Sequence, residues 1–184
     1  MVARLGRHGA GNGEFDEPVG VAVNAHGDII IADTGNHRVQ IFGSDGEFLR
    51  SFGSRGQGDG QFDEPQGVAV GPDGMLVVAD CNNSRIQVFS GVGSHVRTIG
   101  SRGEGQEQLM HPCYVGVSTH GEILVVDLQR DDVQVFSKDG VFLRLIGKDD
   151  IGTADEFNPG GMCVDGEGHI FVCNSAESNV VMLG

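Results

Sequence analysis

The chain has 184 residues, a formal net charge of −14 and 31 glycines. So acidic a composition excludes a surface that uniformly seeks nucleic acid, and no apolar run approaches the roughly 18 residues of a membrane-spanning helix. No charged-then-apolar leader opens the chain, and the glycines recur at a fixed step, which marks dense turns rather than disorder.

In chain order, residues 1–6 come first, with Val2 to Leu5 reading as a short strand. The next unit runs Gly20 to Val23, a turn at Ala25-His26-Gly27, Ile29 to Asp33, and a loop at Thr34-Gly35-Asn36. Arg38 to Phe42, a turn at Ser44-Asp45-Gly46 and Phe48 to Gly53 complete it. Short Val-, Ile- and Phe-rich segments between Gly, Asp and Asn turns predict four strands. Alternation in Arg38 to Phe42 suits a half-buried strand, whereas the apolar run Ile29 to Ala32 suits one covered on both faces.

The unit then recurs every 47 residues. Pro18, Pro65, Pro112 and Pro159 share a phase, as do Gly27, Gly74, Gly121 and Gly168, and Asp33, Asp80, Asp127 and Asn174. Repeats at residues 18–53, 65–100, 112–147 and 159–184 predict an all-β propeller of four four-stranded antiparallel blades, one domain over residues 1–184. Four separate sandwiches are excluded, because so few residues cannot bury a self-sufficient core. Read around a circle, the gap between the last residue and the first is one hairpin turn. Val2 to Leu5 is therefore expected to pair beside Val180 to Leu183 and close the ring, leaving a monomer; two chains completing a larger ring are the alternative.

The four cysteines show no C-x-x-C spacing. Cys163 and Cys173 stand where other repeats carry small core residues, Cys81 replaces Thr34, and Cys113 replaces Val19 or Gln66. All four read as reduced and structural, which places the chain in the cytoplasm. The seven histidines form no ligand cluster, and H-x-x-x-H, G-x-S-x-G and P-loop spacings are absent. The reading is non-catalytic, with no cofactor and no metal.

The loops entering each blade and the loops joining its second and third strands share one end, the upper face. Arg7, Arg38, Arg55, Arg85 and Arg102 lie there among a larger number of carboxylates. A basic or mixed-charge protein segment suits such a face better than RNA, whose phosphates need clustered cations. The recurring Asp-x-x-Asn-x-Arg (Asp33, Asn36, Arg38; Asp80, Asn83, Arg85) predicts a carboxylate–guanidinium pair across the loop, with Asn supporting a positive φ. Candidate binding residues are Arg7, Asn36, His37, Arg38, Arg55, Asn83, Arg85, Arg102 and Tyr114, the single tyrosine.

Pro-x-Gly-Val-Ala-Val, the glycine-led strand ending in Ala-Asp, and Asn-x-Arg-Val/Ile-Gln-Val/Ile-Phe resemble the NHL repeat. The likeness is close over Pro18 to Gly53 and Pro65 to Gly100 and looser over Pro112 to Gly184. The connector Gly53 to Pro65 is similar to those of tripartite-motif NHL proteins, in which the propeller follows a RING, B-box and coiled coil. That resemblance implies a module recruiting substrate for a ubiquitin ligase, or RNA for a translational regulator, through its upper face. It also implies propellers of six blades, more than the four repeats here. A second resemblance, to amidating lyases, implies metal-holding histidines at Val19, Gln66, Cys113 and Gly160, where this chain has none.

Overall fold

A computed structural model describes residues 4–151 and 157–183. Blade one comprises Pro18–Val23, Ile29–Asp33, Arg38–Phe42 and Phe48–Phe52. Blade two comprises Pro65–Val70, Leu76–Asp80, Arg85–Phe89 and His95–Ile99. Blade three comprises Pro112–Val117, Ile123–Asp127, Asp132–Phe136 and Phe142–Ile146; blade four, Pro159–Val164, Ile170–Asn174 and Asn179–Leu183. Every pairing within a blade is antiparallel and sequential, so the all-β propeller of antiparallel blades is as the repeat predicts.

The hairpin turns follow from local chemistry. In blade one Asn24 Oδ1 accepts the His26 and Asp28 amides, and Gly27 takes φ 84°, a conformation costly to residues bearing a Cβ. The second strands of blades two and three are covered on both faces, because each of these blades packs between two others. Between blades one and two, Ile30, Ala32, Val39 and Ile41 meet Val68, Leu76, Val78 and Phe89. The connector between them adds Phe62, which is fully buried; Leu109 fills the same place one repeat later. An alkyl or phenyl plug at each seam contributes about 2–3 kcal/mol by burial alone.

Glycine sets how closely the innermost strands approach. A Cβ on Gly67 would lie 2.6 Å from the Cys113 carbonyl oxygen and 3.0 Å from the Tyr114 Cα, and one on Gly20 would strike the Gln66 carbonyl. Tyr114 holds the same phase in blade three. Its side chain packs into the seam with blade four, against the cluster that includes Leu124, Val126 and Val172.

The innermost strands differ in how far they are covered. Val21 on the innermost strand of blade one is 65% exposed, whereas its counterparts Val68 and Val115 are 7% and 8% exposed. Val19, Val23, Val180 and Met182 are also exposed. Among the described residues blade four has three strands, and Arg4 and Leu5, the described part of the expected closing strand, are in no strand. Met1 to Ala3, which include part of that strand, lie outside the described residues. Leu5 sits near Gly46, the place that Phe52 takes beside Gly93 and Ile99 beside Gly140. It thus occupies the position of an outer strand ahead of blade one. Cys163 and Cys173, expected in a core, are exposed, because among the described residues no element packs over that side of blade four, where Val180 and Met182 are exposed too.

Candidate functional site

In blades one to three the upper face is organised around a buried aspartate at one phase, Asp33, Asp80 and Asp127, and blade four carries Asn174 there. Asp33 is fully buried and accepts the Asp16 amide at 2.8 Å, both its oxygens receive Asn36 Nδ2, Arg38 Nε donates at 2.7 Å, and Gln40 Nε2 donates at 2.9 Å. The same donors reach the preceding connector: Arg38 donates to the Gly11 and Glu14 carbonyls, Asn36 to Gly9, and Gln40 to Glu14. Blade two repeats the set with Asp80, Asn83, Arg85 and Gln87 on Gly56, Gln57, Gly58 and Gln61. A buried carboxylate is tolerable only when so satisfied. The expected Asp–Arg pair is therefore present, and it clamps the incoming connector as well as its own loop.

Asn36 does not take the positive φ expected of it. That conformation falls on the next residue in every blade, His37 (φ 52°), Ser84 (53°), Asp131 (52°) and Ser178 (54°), which close the turn. His37 Nδ1 accepts the Glu64 amide at 3.1 Å, tying blade one to blade two.

Blade three builds its loop differently. Asp132 stands where Arg38 and Arg85 stand and pairs in register with Asp127. Asp127 accepts the Met110, His111 and Gln129 amides, and Arg130 Nε donates to Asp132 Oδ2 at 3.0 Å. Burial, with Asp127 and Asp131 adding to it and Arg130 opposing, pushes the Asp132 carboxyl up to about 6.

The nine sequence-predicted candidates divide by what they touch. Asn36, Arg38, Asn83 and Arg85 spend their donors on the hubs, and Tyr114 is in the seam between blades three and four. Arg7, Arg55 and Arg102 reach outward. Arg7 pairs with Glu14 at 2.8 Å, and the Gly11 amide, then Arg7, hold the Glu14 carboxyl below its usual value. Arg55 is 74% exposed with Asp63 at 4.0 Å, and Arg102 makes no ion pair among the described residues. Arg102 lines a shallow upper cavity with Gln57, Asn82, Asn83 and Arg85.

Sequence reasoning did not group one further cluster. Cys81, the first residue of a turn in blade two, meets His111 and Cys113 from the start of blade three. Cys81 Sγ lies 3.4 Å from Cys113 Sγ and 3.3 Å from His111 Nε2. Both cysteines are buried, and the contact with Cys113, then burial, raises the Cys81 thiol far above its usual value. The signal was in the repeat. These positions correspond to Thr34, Glu64 and Gln66 one blade earlier, and Thr34 Oγ1 already reaches across the seam to the Pro65 carbonyl.

The NHL repeat profile matches residues 15–42 and 62–89. Protein brain tumor of Drosophila melanogaster is 56% identical over 50 residues, 27% of this chain and 5% of that protein. Tripartite motif-containing protein 2 of Homo sapiens is 44% identical over 52 residues, 28% of this chain and 7% of that protein. The aligned segments thus span a small part of these curated relatives. Among solved structures, a chain of a nidogen/laminin complex superposes with TM-score 0.69 at 16% identity, over 90% of this chain and 60% of that one. A gluconolactonase from Xanthomonas campestris superposes with TM-score 0.68 at 20% identity, over 99% and 60%. At that identity the structures show the fold alone, and four blades overlay an arc of each longer chain. Two of the four blades thus match the NHL repeat, and the four together form an all-β propeller arrangement.

Proposed function

We propose that this chain is a non-catalytic recognition module whose upper face takes a basic or mixed-charge protein segment. The observation that carries the reading is the division of the arginines. Arg38 and Arg85 are consumed by the hubs, whereas Arg55 and Arg102, one repeat apart on successive connectors, point outward: Arg55 is largely exposed with Asp63 4.0 Å away, Arg102 makes no ion pair among the described residues, and the same connectors carry Asp59, Glu64, Glu104 and Glu107. Such an alternation offers partners of either sign to a peptide, but sets carboxylates against a phosphate backbone. Relatives with tripartite-motif names support a parent protein that recruits a ubiquitin-ligase substrate, and the free cysteines fit a reducing, cytoplasmic setting. The module works without a cofactor, as one domain over residues 1–184.

The test is a titration of labelled mixed-charge peptides and of random single-stranded RNA at two salt concentrations. Peptide binding that is lost on Arg55→Glu and Arg102→Glu, with melting unchanged, is the expected outcome. Tight RNA binding with a steep salt dependence would refute the protein-first reading in favour of an RNA-binding propeller.

A further inference from the structure

We propose that Cys81, His111 and Cys113 form a Zn²⁺ site that staples blade two to blade three at the upper mouth of their seam. Two sulfurs and one imidazole are the donors that this ion selects over harder cations. The three donor atoms lie within 4.8 Å of one another, with S···S 3.4 Å and S···N 3.3 Å. Tetrahedral Zn²⁺ with its usual bond lengths spans ligand edges of about 3.5–3.8 Å, so small rotations of the cysteine χ1 angles suffice. The ligands come from two blades, so the site exists only when the seam is assembled.

The surroundings hold these groups in place. The Met110 and His111 amides donate to Asp127, the Leu128 amide donates to the His111 carbonyl, and Ser84 Oγ donates to the Met110 carbonyl at 2.9 Å. Cys81 opens a three-residue turn closed by the Ser84 amide, and Cys113 follows Pro112 at the head of the innermost strand. Preorganised ligands on rigid elements are what a metal site requires. The carboxylates of Glu64 and Asp127 act on Cys81 through their charge, and the same field favours a cation. Neither neighbouring seam has this chemistry: the corresponding residues are Thr34, Glu64 and Gln66 on one side and Leu128, Asn158 and Gly160 on the other. The fourth coordination position is left to water. Binding displaces the two thiol protons into solvent, forming two metal–thiolate bonds and one metal–imidazole bond with no change of oxidation state.

The experiment is a Co²⁺ titration of the reduced full chain, read by absorption, followed by Zn²⁺ competition. The expected result is one Co²⁺ per chain, with the near-ultraviolet band of thiolate-to-metal charge transfer and visible bands of a tetrahedral ion, both abolished by Zn²⁺. Cys81→Thr with Cys113→Gln installs residues that the first seam already accommodates, and should retain the circular dichroism spectrum while losing both sets of bands. Cys163→Ser with Cys173→Ser should leave them unchanged. Thermal melting supplies a second readout: Zn²⁺ should raise the midpoint of the parent chain and not that of the seam variant. Absence of a stoichiometric band, a band surviving in the seam variant, or one lost with Cys163 and Cys173 would each overturn the proposal.

Discussion

Replacing Asp132 by Asn removes a carboxylate from a site where blades one and two place an arginine. The side chain is 5% exposed, Oδ2 accepts Arg130 Nε, and Oδ1 has no partner among the described residues. In the folded chain its carboxyl titrates at about 6, chiefly because burial disfavours the charge. An unfolded chain titrates it at about 3.9. Between those values the native state keeps a proton that the unfolded state has released, so this group's contribution falls as pH rises. The contribution is fully present below about pH 4 and lost above about pH 6, a penalty of about 3 kcal/mol at neutral pH. Asn imitates the protonated carboxyl at every pH. Urea unfolding of both proteins at pH 4 and pH 7.5 should therefore show near-equal stability in acid. At pH 7.5 Asp132→Asn should be more stable, by up to about 3 kcal/mol. Comparing the two proteins at each pH cancels the titration of groups remote from residue 132. A difference that does not change with pH, or a parent chain that gains on the variant as pH rises, would refute the reasoning.

Three further outcomes are expected. Asp80→Ala leaves the Asp63 amide, Asn83, Arg85 and Gln87 without their acceptor, and thermal melting should show a loss of about 3–5 kcal/mol or failure to fold. Gly67→Ala drives a methyl into the backbone of blade three and should destabilise markedly, whereas Gly161→Ala, at the same phase in blade four with nothing within 4 Å, should melt within about 1 kcal/mol of the parent chain. Val68→Thr should cost about 1–2 kcal/mol in chemical unfolding, and Val21→Thr less than about 0.5 kcal/mol; equal costs would mean that blade one's outer face is covered in solution.

Blade architecture was legible because its signals are local. Turn glycines, alternation in Arg38 to Phe42 and the fixed step of the prolines do not depend on distant contacts. The Asp33–Arg38 pair was legible for the same reason, being separated by one loop. Its second role, gripping residues 9–16, was not, since nothing in the motif names the segment that lies over it. Asn36 was assigned the strained conformation that belongs to His37, because a residue-type preference for positive φ is weaker than the geometry of a turn closing on Thr34. Closure was not decided by the repeat, because matching phases fix where a strand would sit in a ring and leave open how far round the blades extend. Cys81, His111 and Cys113 are separated by 30 and 32 residues, and only the stacking of one blade on the next reveals them as neighbours.

The hubs degrade along the chain, and that gradient bears on how the molecule comes apart. Among the described residues, blades one and two leave no buried side-chain nitrogen or oxygen of their Asp–Asn–Arg–Gln sets unpaired, but blade three leaves Gln134 Oε1 and blade four Asn174 Nδ2 unpaired. Because, among the described residues, the main contacts between blades join consecutive ones, opening free energies accumulate blade by blade, as in a linear array with unequal links. Amide protons of Ile170 to Asn174 should exchange first, those of Ile123 to Asp127 next, and those of Leu76 to Asp80, flanked on both sides and clamped by a complete hub, last. Opening thus begins in the blade with the least complete hub, and the second blade is the kinetic anchor.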